Sequence, residues 1–250
     1  DYISVVVVRS HLRNLDYLNR PIDFDWQWTL LNIFLYSKIQ CIAMKVESVV
    51  YQISVGREPF TGFPPPNSFL VCGSDTSVLI DSGWAGEEDH AERIKLLESF
   101  SVAPISKVIL THRHPDHAGG ALALHSELNA NLACHDLERN SITADRLNYA
   151  EIPLETIAEG TSFDLGGLTI EIIDTPGHTV GCIAPYIPEL GALFASDSVM
   201  GISTTVVRPT EGDLGKYEES LRKMKELSPR IIYSGHGPAI TKPIARLDYL

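Results

Sequence analysis

Apolar runs, alternating stretches and turn residues succeed one another in an order that predicts most of the secondary structure. Val5 to Val8 is a short β-branched run and reads as a strand, and Asp16 to Met44, rich in Leu, Ile, Trp and Tyr, reads as helical. From Lys45 the pattern is more regular. Val46 to Val55 alternates as a strand. Ser68–Cys72 and Ser77–Ile80 are apolar runs on either side of Gly73-Ser74-Asp75, which predicts a β-hairpin. Glu87 to Phe100 has helical spacing through Ile94 and Leu97, and Pro104 breaks it. Val108–Leu110, Asn131–Cys134, Ala192–Ala195 and Ile231–Tyr233 read as short strands. Gly119–Leu128 and Leu214–Leu227 read as helices, the second closed by Pro229. Thr161–Leu165 and Leu168–Ile173 flank Gly166-Gly167 as a second hairpin.

Strands mixed with helices and hairpins predict an α+β protein, two sheets covered by helices rather than one doubly wound sheet. Three apolar runs lead straight into polar clusters: Val108–Leu110 into Thr111–His117, Ala192–Ala195 into Ser196-Asp197, and Ile231–Tyr233 into Ser234-Gly235-His236. His178 follows Ile170–Ile173 within a few residues. Loops at strand ends are where rigid scaffolds present reactive groups. If the strands point the same way in packed sheets, these four loops converge. Residues 1–43 read as an N-terminal extension and residues 44–250 as the catalytic domain. A lid, a dimer contact making a homodimer, and an added segment are all open roles for the extension.

Composition narrows the partners. The 250 residues are 44% hydrophobic and 21% charged, which suits one domain or one domain plus an extension. A formal net charge of −12 disfavours non-specific binding to phosphate backbones. Single-stranded nucleic acid stays open as a partner, because bound cations reverse the potential locally. A small-molecule substrate fits the charge better. No run of about 18 uncharged apolar residues occurs, so no membrane-spanning helix is expected. Cys41, Cys72, Cys134 and Cys182 form no C-x-x-C pair and are expected as reduced thiols in a cytoplasmic protein.

The candidate chemistry sits in the polar clusters. His112, His114, Asp116 and His117 lie within six positions, and imidazole nitrogen with carboxylate oxygen is a donor set that zinc takes. In so tight a loop His112 and His114 can serve one ion while Asp116 and His117 serve another nearby. Gly119-Gly120 then lets the backbone turn into the next helix. His178 in Thr175-Pro176-Gly177-His178-Thr179, Asp197 at a strand end, and His236 between Gly235 and Gly237 complete the candidates. His11, His90, His125 and His135 have no such setting and read as surface or packing residues.

T-H-x-H-x-D-H-x-G-G, T-P-G-H-T, A-S-D and S-G-H-G, in that order, resemble the metallo-β-lactamase superfamily. Asn67–Val71 followed by Val78–Gly83 is similar to the family's opening hairpin. The resemblance covers about residues 46–240. It implies an αβ/βα four-layer sandwich of two mixed β-sheets flanked by helices. It also implies that His112, His114 and His178 hold one divalent metal, that Asp116, His117 and His236 hold a second, and that Asp197 bridges them. Zinc is favoured, with manganese or iron compatible with the same donors. The expected reaction is hydrolysis of an ester, thioester, lactone or phosphodiester by a hydroxide between the ions, with Asp116 as the catalytic carboxylate.

Departures from individual branches sharpen the expectation. Asp197 stands where β-lactamases of the superfamily carry Cys or Ser, which leaves β-lactam cleavage as a side activity at most. His114 stands where the di-iron flavoproteins carry Glu. Only 14 residues follow His236, too few for the helical domain of glyoxalase II. The stretches Asp197–Gly201, Thr204–Val207, Tyr217–Met224 and Ile231–Pro238 look closest to a branch of single-strand endoribonucleases. The stretch Arg139 to Arg146 is a weak nucleic-acid signature. Acyl-homoserine lactonases and single-iron persulfide dioxygenases share much of the metal motif.

Overall fold

The computed structural model describes residues 5–7, 40–47, 49–56, 64–147 and 152–250. Most of the expected extension, His11 and the expected helix before residue 40 lie outside the described residues. The first sheet contains β1 (Val5–Val7), β2 (Gln40–Glu47), β3 (Val50–Gly56), β4 (Asn67–Cys72), β5 (Ser77–Ile80), β6 (Ile105–Leu110), β7 (Asn131–His135) and β8 (Leu154–Ile157), neighbours in that order. Its pairings are antiparallel as far as β5 and parallel from β5 to β8. The second sheet contains β9 (Ser162–Asp164), β10 (Thr169–Asp174), β11 (Ile183–Ile187), β12 (Ala192–Ser196) and β13 (Ile231–Ser234), in the order β13-β12-β11-β10-β9. Only β12 and β13 pair in parallel there.

The helices among the described residues are α1 (Glu87–Glu98), α2 (Pro115–Ala118), α3 (Ala121–Leu128), α4 (Asp136–Asp145), α5 (Leu214–Glu226) and α6 (Pro243–Tyr249). Period-two alternation in the strands sorts their side chains into three apolar layers. On β6, Val108 and Leu110 face Leu96, Leu97, Leu124 and Ile142 of the helices, while Ile109 faces the other way. That inner layer joins Phe69, Val78, Ile80 and Ile109 of the first sheet to Ile170, Ile172, Phe194 and Tyr233 of the second. On β12, Leu193 and Ala195 turn outward onto Tyr217, Leu221 and Met224 of α5 and Leu247 of α6. The result is helix, sheet, sheet, helix, as the sequence led us to expect.

Two expectations at the strand level are corrected. Gln40–Met44, expected to end a helix, begins strand β2. The single strand expected over Val46–Val55 is instead the end of β2 and most of β3, which turn back on each other with Glu47 opposite Val50. The residues between carry no Gly, Pro, Asn or Asp, so the turn leaves no local mark and cross-strand pairing decides. Strands β8 and β11 and helices α4 and α6 had no clear signal in the sequence.

Phe194 is the hub of the inner layer, with ring centroids 5.3 Å from Phe69 and 4.9 Å from Tyr233. Phe194→Ala should therefore destabilise the fold by about 3–5 kcal/mol, read as a lowered urea midpoint with an unchanged slope. A loss below about 1 kcal/mol would mean that this aromatic layer is not the structural core.

Candidate metal centre

Strand β6 ends at Leu110, and the chain passes through Thr111, His112 and Arg113 to His114, the N-cap of α2, with Pro115 at its first turn. Asp116 and His117 ride on that short helix. His178 lies in the loop after β10, Asp197 follows β12, and His236 follows β13. The structure brings all seven together. The donor atoms of His112, His114, His178 and Asp197 lie within 4.8 Å of one another, as do those of Asp116, His117 and His236.

Asp197 stands between the two groups. Its Oδ2 is 3.8 Å from His178 Nε2, while its Oδ1 is 3.3 Å from His117 Nε2 and 3.7 Å from His236 Nε2. His178 Nε2 and His114 Nδ1 are 2.9 Å apart. In the other group, His236 Nε2 is 3.2 Å from Asp116 Oδ2 and 3.3 Å from His117 Nε2.

The outer ring nitrogens show whether these residues suit a cation. His178 Nδ1 donates to the Val206 carbonyl at 2.7 Å, and His236 Nδ1 to the Pro64 carbonyl at 2.9 Å. His117 Nδ1 donates to Asp81 at 2.8 Å, and His114 Nε2 to Glu211 at 3.2 Å. These oxygens only accept, so each outer nitrogen carries a proton and the inner nitrogen is turned toward the cluster. His112 Nδ1 meets the Thr111 hydroxyl, and its buried Nε2 has no hydrogen-bond partner. Inner ring nitrogens that converge on one another and on the carboxylates are what metal coordination requires.

Electrostatics agree. Burial, then the neighbouring His117 and His178, hold His112 well below the ordinary imidazole range, so it is neutral. Burial alone would raise the Asp197 carboxyl, but His117 and His236 outweigh it and keep Asp197 ionised. Burial would lower His117, yet Asp197, Asp116 and Asp81 together raise it well above its usual range. A proton and a divalent cation thus compete for the same lone pair.

Close backbone approach fixes this geometry. A Cβ at Gly235 would fall 2.1 Å from Asp197 Oδ1 and 2.9 Å from the His117 ring. A Cβ at Gly120 would fall 2.5 Å from the Ser82 carbonyl, so only glycine lets the Ser82 turn seat against the histidine loop.

Several supporting residues escaped the sequence. Asp81 read only as a strand terminator, yet its carboxylate accepts from Thr111 N, Thr111 Oγ1, Ser196 Oγ and His117. Asp81 and Ser196 both have positive φ, 62° and 45°, strained conformations that cluster at functional sites. Glu138 of α4 gave no signal at all. Its fully buried carboxylate accepts from Arg113 N and Nε on one oxygen, and from Arg113 Nη2, Thr179 Oγ1 and Gly181 N on the other. It thereby braces the His112–His117 loop against the His178 loop. Asn67, quoted above only for its hairpin, donates to the Ser234 and Gly237 carbonyls and holds the His236 loop.

The other predicted features fall elsewhere. Arg139 bonds Thr156, and Arg146 bonds the Arg113 carbonyl, so the basic stretch is partly tied into the fold. His90 lies in α1, His125 of α3 bonds the Ala130 carbonyl, and His135 caps α4. Cys72, Cys134 and Cys182 are free thiols. Among the described residues no helix is long and apolar enough to cross a membrane.

Comparison with known proteins gives a consistent picture. The sequence model of the metallo-beta-lactamase superfamily matches residues 61–236. The "beta-lactamase-like protein 2 homolog" of Caenorhabditis elegans is 29% identical over 76% of this chain and 61% of its own length. "Thioesterase pkgB" of Emericella nidulans is 34% identical over 70% of this chain and 46% of its own. The chain thus spans between about half and three fifths of these relatives. A metallo-beta-lactamase from Pontibacter korlensis superimposes with a TM-score of 0.72 at 22% identity, covering 84% of this chain and 96% of that one.

The brace carries a pH signature. Burial pushes the Glu138 carboxyl up, but the Arg113 bonds, then Gly181 N–H and Thr179, outweigh it and hold it below the usual carboxylate range. A depressed folded-state pKa adds stability that is full above about pH 4.3, the ordinary Glu value, and is lost as pH falls through the folded value. Glu138→Gln should therefore cost about 1–3 kcal/mol at pH 7, with the gap to wild type narrowing in acid. Urea midpoints at several pH values check this, and a pH-independent gap would dismiss the ionic brace.

Proposed function

Since this chain belongs to the metallo-beta-lactamase superfamily, we propose that it is a metal-dependent hydrolase that cleaves an acyl bond, a thioester first of all, at two adjacent divalent cations. The observation that carries this reading is Asp197, one carboxylate whose two oxygens face two separate groups of imidazole lone pairs. His112, His114 and His178 would hold one cation, and Asp116, His117 and His236 the other, with Asp197 reaching both. Zinc suits these nitrogen and oxygen donors, and manganese and iron are compatible with them. When bound, such a pair supplies Lewis acidity and a water whose pKa drops from about 15.7 toward 7.

The chain's own residues supply orientation and proton transfer. Asp116 is buried enough to raise its carboxyl, but His117 and His236 pull it below the usual range, so it stays ionised. Its Oδ accepts a proton from the attacking water and passes it to the leaving sulfur as the C–S bond breaks, giving a carboxylic acid and a thiol. A thiolate, with an ordinary pKa near 8.5, leaves with less help than an alkoxide. The fungal relative bears the name thioesterase. The net charge of −12 weighs against a polyanionic phosphodiester. Arg113, between His112 and His114, and Arg208, three residues before Glu211, are paired with Glu138 and Glu211. The free thiols support a reducing, cytoplasmic setting.

Elemental analysis joined to a screen of a thioester, a lactone, a cephalosporin and single-stranded RNA tests the reading. We expect about two zinc per chain, chelator-sensitive thioester cleavage and no RNA cleavage. One iron per chain without hydrolysis would sink it. His236→Ala should lose about one metal equivalent and lower kcat by roughly 100-fold or more. Wild-type turnover in that variant would remove the second cation from the scheme.

A further inference from the structure

Among the described residues, seven large apolar side chains are exposed: Leu137, Val180, Ile202, Val206, Leu214, Ile244 and Tyr249. The last two belong to α6. The first five all stand on segments that touch the donor loops. Val180 is two residues from His178. Val206 supplies the carbonyl that His178 Nδ1 bonds, at 2.7 Å. Ile202 lies against Gly237, where a Cβ would come within 2.6 Å of it, beside His236. Leu137 gives its carbonyl to Arg113 Nη2 at 3.1 Å. Leu214 follows Asp213, whose N–H donates to the Gly177 carbonyl at 2.9 Å. Singly exposed apolar residues mean little, but their concentration around one site is informative.

An open depression of about 550 Å³ lies beside Leu214, lined by Val207, Pro209, Gly212, Asp213, Leu214 and Gly215. That size is ordinary for a small-molecule site. Its wall backs onto the donor loop, since a Cβ at Gly212 would fall 2.7 Å from the His178 carbonyl oxygen. Between its lining residues, Glu211 reaches out to His114 Nε2 and is itself paired with Arg208. No cation lines the depression.

From these observations we infer that residues 206–215 form the binding site for an uncharged, apolar acyl chain of the substrate, seated beside His114 and His178 with its scissile carbonyl at the donor cluster. The inference rests on the hydrolase reading above and adds the substrate class. Burying each further methylene of such a chain strengthens binding about fourfold, so affinity must grow with chain length until the depression is full.

The probes are neutral. Acetyl, hexanoyl and decanoyl thioesters of N-acetylcysteamine report turnover, and the matching methyl, hexyl and decyl thioethers, which cannot be hydrolysed, report binding by calorimetry. The test variant is Leu214→Asp. Leu214 is 62% exposed and opens the first turn of α5, where a carboxylate is favourable, so the fold is kept. In the wild-type protein the hexyl thioether should bind at least about tenfold more tightly than the methyl one, and KM should fall in parallel. Leu214→Asp should erase that difference in both binding and KM. Equal binding of methyl and hexyl probes, or a chain-length preference untouched by Leu214→Asp, overturns the proposal. Tight hexyl binding without hydrolysis of any thioester keeps the apolar site and refutes the hydrolase reading instead.

Discussion

A buried carboxylate ties the two sheets of this protein together at the donor cluster. Asp81 follows β5 in the first sheet, yet Ser196 at the end of β12 in the second sheet donates to it at 3.0 Å. Thr111 from β6 and His117 from α2 complete its set of donors. A buried charge is tolerable only when its lone pairs are filled, and removing one partner leaves the others uncompensated. The relative position of the sheets, the direction of the His117 ring and the strained backbone at Ser196 therefore form one problem with one solution. The inner apolar layer supplies the adhesion, but it is non-directional. Asp81, together with the Asn67 bonds to the Ser234 and Gly237 carbonyls, supplies the direction.

The same division explains what could be read from the sequence. The cluster of candidate donors was legible because metal chemistry needs particular residue types: three histidines and an aspartate within six positions, and His178, Asp197 and His236 after apolar runs. The layered architecture was legible where strands alternate, as on β6 and β12. It was not legible where pairing overrides propensity, as between Glu47 and Val50. The residues that aim the donors were mostly silent. Glu138 is one acid among many in a polar helix, and only the folded chain shows five donors converging on it. Glu211 and the carbonyls of Pro64 and Val206 act through position, and a carbonyl has no letter in the sequence.

The loop after β12 joins several jobs in one segment. Thr205 donates to the Asp197 carbonyl, Val206 accepts from His178, and Glu211 accepts from His114. Gly212 and Asp213 then seat against the His178 turn before α5 begins. A change in what lines this segment is thus felt at both donor groups, and its apolar and acidic residues cannot be varied independently of the ligand geometry.

The order of the donors along the chain has a consequence for biosynthesis. Strand β13, which delivers His236, pairs in parallel with β12, and Asn67 from the first sheet clasps the loop that follows it. The contacts that finish the site thus span about 170 residues, and long-range parallel pairing is slow to form. On a ribosome adding about 5–20 residues per second, six of the seven candidate donors are made before His236 leaves the tunnel. The nascent chain therefore passes through a stage in which all the candidate donors but His236 exist, and the site closes only when β13 docks beside β12.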